Sequence, residues 1–176
     1  TLISSIENLK DKFHKDIYIL GKGPSLNQKS YSNIPKNSIK ISINQVLKSF
    51  DVDFAFFIDI EPLYDVIDEL IKKKINVIIP YHPNIRVNEK ISKPSKKNIY
   101  QLAKSSKKLK ILLNNDIYCF DTGLRRENIS DFIFKPNFVS LTSLLQIIFT
   151  FTRNEVYGIG FDGGIEISNS IENKFN

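Results

Sequence analysis

The chain has 176 residues, of which 41% are hydrophobic, and it carries a formal net charge of +6. This length suits one domain with a buried core and is too short for two ordinary domains, and the hydrophobic fraction excludes a disordered chain. The positive charge suits anionic partners such as nucleotides, acidic glycans or a lipid surface. The single cysteine, Cys119, excludes an internal disulfide and indicates a reducing compartment, so we expect a cytoplasmic protein.

Hydrophobic periodicity predicts the elements in chain order. Residues 2–13 place apolar side chains on one helical face and predict an amphipathic helix. Apolar runs rich in β-branched and aromatic residues predict strands at 16–20, 38–43, 53–58, 75–80 and 155–159. Helical spacing predicts helices that start near Pro62, near residue 98 and at residue 139. Residues 109–120 predict strands or a short hairpin.

Strands that alternate with helices predict a single α/β domain over residues 1–176, built on a Rossmann-like, mostly parallel sheet flanked by helices. The segment 83–108 breaks this pattern because it is polar and strongly basic, and we interpret it as a lid-like insertion. Its lysines are Lys90, Lys93, Lys96, Lys97, Lys104, Lys107 and Lys108. They suit either a solvated surface or peripheral contact with an acidic acceptor or anionic lipid of the inner membrane. The segment lacks the interleaved aromatic residues typical of nucleic-acid binding, so we expect no nucleic-acid partner.

Polar residues follow several predicted strands directly. In an open α/β sheet, ligands bind at the carboxyl ends of the strands. The polar clusters lie at 21–25, 44–45, 59–61 and 160–164. Ser140, Thr142 and Ser143 join them at the start of a predicted helix, where they either cap the helix or bind phosphate. This convergence predicts a ligand site at one edge of the sheet.

The first cluster is the turn made of Gly21, Lys22, Gly23, Pro24 and Ser25. Its glycines permit a ligand to approach the backbone closely, and its lysine adds a positive charge that suits a phosphate. The pattern is neither a Walker loop nor a complete G-x-G-x-x-G fingerprint. It therefore indicates either a nucleotide-phosphate cradle or a plain turn between a strand and a loop.

The other clusters carry amide and carboxylate groups. Asn44, followed by Gln45, has an amide that suits recognition of a base or sugar, or else caps the next turn. Asp59 is either a ligand-binding carboxylate or the N-cap of the following helix, and its spacing does not predict a metal site. Asp162, beside Gly160 in a glycine-rich turn, is either a carboxylate at the rim of the cleft or an ordinary turn residue.

Two blocks of the chain match a known pattern when they are taken together. The early block has a G-x-G-P-S-L turn at 21–26, then Tyr-Ser and Pro within 31–35, and a strand that ends in Asn-Gln at 44–45. The late block, 138–164, has a Ser/Thr-rich helix start, an apolar helix and a strand that ends in a glycine-rich Asp turn. The combination resembles the bacterial sialyltransferases of glycosyltransferase family forty-two, and the middle of the chain is unmatched.

The resemblance implies a nucleotide-sugar transferase that uses a donor like CMP-sialic acid, without a metal cofactor, in the synthesis of surface glycans such as lipopolysaccharide. It implies that the G-x-G-P-S turn and Asn44 hold the cytidine nucleotide. It also implies that Ser140 or a neighbouring hydroxyl contacts phosphate or sugar. The expected partners are a nucleotide sugar and a glycan or glycolipid acceptor, and the sequence is compatible with a homo-oligomer.

The chain departs from the family at several points. The family has an asparagine at the position of Lys22, and it usually has an asparagine at the position of Asp59 as well. The family's catalytic tyrosines and histidine follow the Gly-x-Asp block, whereas no tyrosine or histidine follows Asp162 here. A transferase needs a base for the acceptor hydroxyl. His82, which follows a predicted strand, is the candidate base, and Asp162 is the second candidate for a catalytic role.

A second family has the same skeleton and leaves the function open. The 6-hydroxymethylpterin pyrophosphokinase-like proteins also resemble this chain in the GxGPSL turn, in an acidic residue after the third strand and in the late helix. Asp59 fits that family better than it fits the sialyltransferases. This alternative implies phosphotransfer from ATP with magnesium. A third alternative is a nucleotide- or glycan-binding module without catalysis.

Overall fold

A computed structural model describes residues 3–88, 91–123, 133–134 and 140–162. The strands are β1 (Ile3–Ser5), β2 (Ile17–Leu20), β3 (Ile39–Ile43), β4 (Phe54–Phe56), β5 (Asn76–Pro80), β6 (Asn84–Asn88), β7 (Ile91–Pro94), β8 (Ile117–Phe120) and β9 (Val156–Ile159). Seven of them form one sheet in the order β1-β8-β5-β4-β3-β2-β9, and every pairing in it is parallel. Strands β6 and β7 form a separate antiparallel hairpin. The prediction of a Rossmann-like α/β sheet is confirmed.

Helices cover both faces of the sheet. The α-helices are α1 (Gln28–Ser32), α2 (Ile60–Tyr64), α3 (Ile67–Lys73), α4 (Ile99–Lys104), α5 (Lys107–Leu112) and α6 (Ser140–Phe151), and there are 3₁₀ helices at Ile6–Asp11 and Asn44–Lys48. The first 3₁₀ helix and α6 pack on one face, whereas α2 to α5 pack on the other. Because both faces are covered, the central strands are apolar nearly throughout, as Phe54 to Ile58 illustrate.

The order of the strands reverses beside β2. From β2 the chain adds β3, β4, β5 and β8 in one direction, and α6 then returns it to place β9 on the other side of β2. The register pairs Leu20 with Ile159, so β2 and β9 end at the same level. Such a reversal is the switch point at which open α/β sheets bind ligands, outside the carboxyl ends of the strands.

Two predicted elements were wrong, and tertiary contacts explain both. Residues 3–13 do not form one helix, because Ile3–Ser5 pair with Ile117–Cys119 and a 3₁₀ helix follows. The apolar residues Ile6 and Leu9 fit the three-residue period of that helix. Residues 107–112 form α5 rather than a strand, with Leu109 and Leu112 fully buried against the sheet.

The basic segment 83–108 divides into two parts. The hairpin of β6 and β7 is exposed along nearly all of its described residues. In contrast, α4 and α5 belong to the core, because Ile99 and Leu109 are fully buried there. The lid stays a prediction, and the hairpin is the part of 83–108 that projects. Among the residues that the structure describes, no helix is both long enough and apolar enough to cross a bilayer.

Candidate functional site

Two turns contact each other at the switch point. The turn that follows β2, residues 21–25, and the turn that follows β9, residues 160–162, are called the paired turns below. The Gly21 N–H donates to the Ile159 carbonyl at 2.8 Å, and the Gly23 N–H donates to the Gly160 carbonyl at 2.6 Å. The sheet therefore brings together two of the clusters predicted from sequence.

Glycines permit this contact because the two backbones approach closely. A Cβ at Gly21 would overlap the carbonyl oxygen of Gly160, and a Cβ at Gly23 would lie 2.7 Å from the Gly160 carbonyl carbon. Gly160 has a φ of +83°, and a Cβ there would lie 2.8 Å from the Gly21 carbonyl carbon. The three glycines are therefore required by the packing of the turns, whether or not a ligand binds.

A serine and an aspartate hold the paired turns together. The Ser25 hydroxyl donates to Asp162 Oδ1 at 2.6 Å and accepts from the Gly160 N–H at 2.8 Å. The Ser25 N–H lies 3.1 Å from Asp162 Oδ2 and also donates to this carboxylate. The hydrogen bond from the Ser25 side chain is the main reason that the pKa of Asp162 lies below its ordinary value. In this conformation Asp162 links the turns, and its catalytic role stays a prediction.

The first turn uses most of its own N–H groups within the protein. The N–H groups of Gly21, Gly23 and Ser25 donate to the other turn or to the end of β9, and Pro24 has none. The Lys22 N–H donates to no described residue, and the Lys22 side chain is exposed. A phosphate at this turn would therefore contact Lys22 and would not be bound by several backbone N–H groups.

The Asn-Gln pair follows β3, which lies next to β2. Asn44 has a φ of +55°, in the left-handed region that asparagine tolerates better than most residues. It is half-buried and begins the Asn44–Lys48 helix, whose N-cap is Ile43. Gln45 donates from Nε2 to Asp65 Oδ2 at 3.3 Å, while its Oε1 is buried without a hydrogen-bond partner. The pair thus offers a half-buried amide and an unpaired acceptor at the sheet edge.

Asp59 follows β4 and occupies the N-cap position of α2. Its side chain makes no capping hydrogen bond, and Asp59 Oδ1 is buried without a partner. Glu61 Oε1 accepts the Arg86 N–H at 2.7 Å, and Glu61 Oε2 is buried and unpaired. Burying such an oxygen unpaired is costly, so these atoms mark a place where a donor or cation would be favoured. Within the described ranges, however, no cluster of three or more metal-ligating side chains is present.

His82 lies between β5 and the hairpin, and only 6% of its surface is exposed. Its Nδ1 lies 3.1 Å from the Ser95 carbonyl, which assigns the proton of a neutral ring to Nδ1. The Tyr81 ring packs edge-on against it. This burial limits access of an acceptor hydroxyl to the ring, and the role of His82 as a base stays a prediction.

Sequence reasoning missed a second buried carboxylate at this edge. Asp121 follows β8 and is 4% exposed. Its Oδ1 accepts the Gly123 N–H at 2.7 Å, and its Oδ2 is buried without a hydrogen-bond partner. The sequence carries a signal for it, since an Asp after an apolar run also identifies Asp59.

Phe161 was also missed, although it lies in the second of the paired turns. Its ring packs over two glycines, because a Cβ at Gly21 would lie 2.7 Å from Phe161 Cε1 and a Cβ at Gly158 would lie 3.2 Å from Phe161 Cδ2. The side chain nevertheless stays 39% exposed. The Phe161 ring therefore occupies space at the switch point that is open because Gly21 and Gly158 have no side chains.

The hydroxyl cluster lies in the first turn of α6. Ser140 is the first helical residue, Thr142 is exposed and Ser143 is buried. The cap position before Ser140 lies outside the described residues. Because α6 follows β8 in a parallel crossover, its N-terminal end lies at the carboxyl edge of the sheet, as predicted.

Comparison of the chain with models of protein families, with curated proteins and with solved structures found no match.

Proposed function

We propose that this protein binds a nucleotide sugar at the carboxyl ends of β2, β3 and β9 and transfers its sugar, in the manner of the sialyltransferases that it resembles. The observation that carries the proposal is the switch point beside β2, where the paired turns lie next to a half-buried asparagine in the left-handed conformation. A parallel sheet has its ligand crevice at such a point. The positive net charge suits an anionic donor.

The proposal assigns separate roles to the residues at this edge. Lys22, with its exposed ammonium and its N–H that donates to no described residue, would bind a donor phosphate and stabilise the charge that develops on it. The amide of Asn44 would recognise the base or the sugar through its donor and acceptor. Ser140 and Thr142, in the first turn of α6, would complete the phosphate contacts. The Ser25–Asp162 contact would fix the turn that carries Lys22.

The donor is tested by a binding screen with CMP, CMP-sialic acid, UDP-sugars and GDP-sugars. The chain has no tryptophan, so Phe161→Trp places a single tryptophan reporter within the paired turns, at a side chain that is 39% exposed. We expect a saturable change in its emission, and a thermal shift of the unmodified chain, with cytidine nucleotides. If no nucleotide produces either signal, the proposal is wrong.

Asn44→Gly tests the side-chain amide separately from the backbone conformation. Glycine accepts the φ of +55° freely, so this variant removes the side chain without straining the chain. We expect it to bind the nucleotide at least tenfold more weakly, the equivalent of about 1.4 kcal/mol, because one polar contact is lost. Lys36→Gln, at an exposed lysine before β3, is the matched surface control. Unchanged affinity of Asn44→Gly would remove the amide from the proposed site.

The buried unpaired Oδ1 of Asp59 favours a second candidate, a pyrophosphokinase-like phosphotransfer from ATP. Magnesium bound to a nucleoside triphosphate commonly has a protein carboxylate among its ligands. Magnesium-dependent ATP binding that Asp59→Asn abolishes would support this candidate over the sugar transferase. Binding of a cytidine nucleotide without turnover of its sugar would instead favour a binding module.

A further inference from the structure

The hairpin of β6 and β7 has the features of a contact surface. Its base is fixed, because the Asn84 N–H donates to the Ile58 carbonyl at 2.9 Å and the Ser95 N–H donates to the Pro83 carbonyl at 2.9 Å. The arms beyond the base are exposed along both strands. The hairpin is therefore attached to the sheet at its base and exposes the side chains of its arms.

The exposed side chains of the hairpin include three aliphatic ones. Ile85, Val87 and Ile91 are 36%, 56% and 47% exposed, and Val87 is the most exposed large hydrophobic residue that the structure describes. The register pairs Ile85 with Lys93, so these two side chains lie on the same face of the hairpin. A register shift between Arg86 and Asn88 lies at Val87. The arms therefore combine exposed aliphatic groups with a neighbouring cation.

The charge around these aliphatic groups is strongly positive. Residues 84–97 contain five cations and one acid in sequence, a formal charge of +4. The described cations Arg86, Lys93, Lys96 and Lys97 are all exposed. Three aliphatic side chains cover too little area for a stable protein interface, which buries roughly 800 Å² per partner. Aliphatic groups bordered by cations instead match an anionic bilayer, where the former enter the acyl region and the latter meet the headgroups.

We propose that the β6–β7 hairpin seats the protein on an anionic lipid surface through Ile85, Val87 and Ile91, with Arg86 and Lys93 against the headgroups. The hairpin starts at the carboxyl edge of the sheet, because Asn84 pairs with Asp59. The base of the hairpin therefore lies at the same edge of the sheet as the candidate site. This inference does not depend on the nucleotide proposal.

Insertion is tested with the full chain and single-tryptophan variants. Val87→Trp reports on the hairpin, and Ile111→Trp, at a 42% exposed isoleucine on α5, is the matched control. With vesicles of phosphatidylcholine and phosphatidylglycerol, we expect a blue shift of emission for Val87→Trp and none for Ile111→Trp. With vesicles of phosphatidylcholine alone, the shift should largely disappear. Equal shifts at both positions, or no shift at either, would overturn the proposal.

Affinity is tested by co-flotation with the same vesicles. Lys93→Gln should lower the partition coefficient roughly fivefold, since one cation near an anionic surface contributes about that factor. Val87→Asp should lower it more, while Ile111→Asp should leave it unchanged. Circular dichroism of each variant checks the fold, which these exposed sites leave intact. If the chain instead self-associates without lipid, and Val87→Asp abolishes that association, the hairpin is a protein interface and the lipid proposal fails.

Discussion

Replacing Gly160 with alanine should destabilise the protein more than any other Gly→Ala change compared below. Two separate effects act at this position. The φ of +83° is costly for a residue with a Cβ, and that Cβ would lie 2.8 Å from the Gly21 carbonyl carbon and 2.9 Å from Leu26 Cβ. The neighbour at Gly21 is backbone, which cannot rotate away as a side chain can.

Two other glycines separate these effects. Gly123 has a φ of +76°, but its added Cβ would meet Cγ2 of Ile133, a side-chain atom, at 2.8 Å. Gly21 has no positive φ, but its added Cβ would overlap the carbonyl oxygen of Gly160. Gly123→Ala therefore tests the backbone conformation with an overlap that the exposed Ile133 side chain can relieve by moving, and Gly21→Ala tests overlap with backbone by itself.

The expected magnitudes follow from these contacts. A left-handed conformation costs an L-residue about 1–2 kcal/mol, and overpacking costs about 1–3 kcal/mol. The loss of chain entropy in the unfolded state offsets each change by about 0.5 kcal/mol. We expect Gly160→Ala to cost about 3 kcal/mol, Gly21→Ala about 2 kcal/mol and Gly123→Ala about 1 kcal/mol. For a chain of this size, the first value lowers the Tm by about 10 °C.

Equilibrium unfolding in urea measures all three variants. The midpoint should fall in the order of these costs while the m-value stays constant, which would identify a change in stability rather than in the unfolded state. If Gly123→Ala costs as much as Gly160→Ala, then the contact between the paired turns adds no cost, and the packing of these turns does not require a glycine at position 160.

Three further predictions concern single side chains. Hydrogen bonds from Ser25 lower the pKa of Asp162, so this carboxylate stabilises the fold at pH values above its ordinary pKa of 3.8, and the stabilisation is lost as the pH falls through the lower pKa of the folded state. Asp162→Asn should therefore make the free energy of unfolding depend less on pH in the acid range. An unchanged acid range would contradict the role of Asp162. Asn44→Ala should lower the free energy of unfolding by about 1 kcal/mol relative to Asn44→Gly in urea unfolding, since only glycine accepts the left-handed φ without strain, and equal stabilities would show that this conformation carries no strain. Burial raises the pKa of the Cys119 thiol, so the native protein should resist Ellman's reagent while the urea-unfolded chain reacts fully, and rapid labelling of native protein would refute its burial.

Much of the sheet could be predicted from the sequence, because apolar runs of strand length encode burial on both faces. The runs around Ile17, Ile41, Phe56 and Val77 each became a strand of the parallel sheet. The long apolar helix α6 was predicted for the same reason, since it packs its buried residues against the sheet. These elements are specified by local patterns, namely a continuous apolar run for a buried strand and an apolar face with a period of 3.6 residues for a helix.

Other elements depended on contacts between distant parts of the chain. The strand at Ile3–Ser5 exists because β8, more than one hundred residues later, supplies its partner, and no local pattern contains that information. The hairpin at 84–94 pairs residues that are close in sequence, but its mixed polar and apolar residues do not show that its base bonds to Ile58. Tertiary context therefore overrode the local preference at these positions.

The sequence by itself determined the α/β class, the clusters of polar residues after the strands and the resemblance on which the proposed function rests. Only the tertiary structure decided what the G-K-G-P-S turn does in the fold. It joins that turn to Gly160 and Asp162, from the other end of the chain, through hydrogen bonds that consume most of its N–H groups. The physical reason is that β9 returns to the side of β2, so residues separated by more than one hundred positions share one edge of the sheet. The positions of Gly21 and Gly23 along the chain do not show that these residues must pack against the backbone of Gly160.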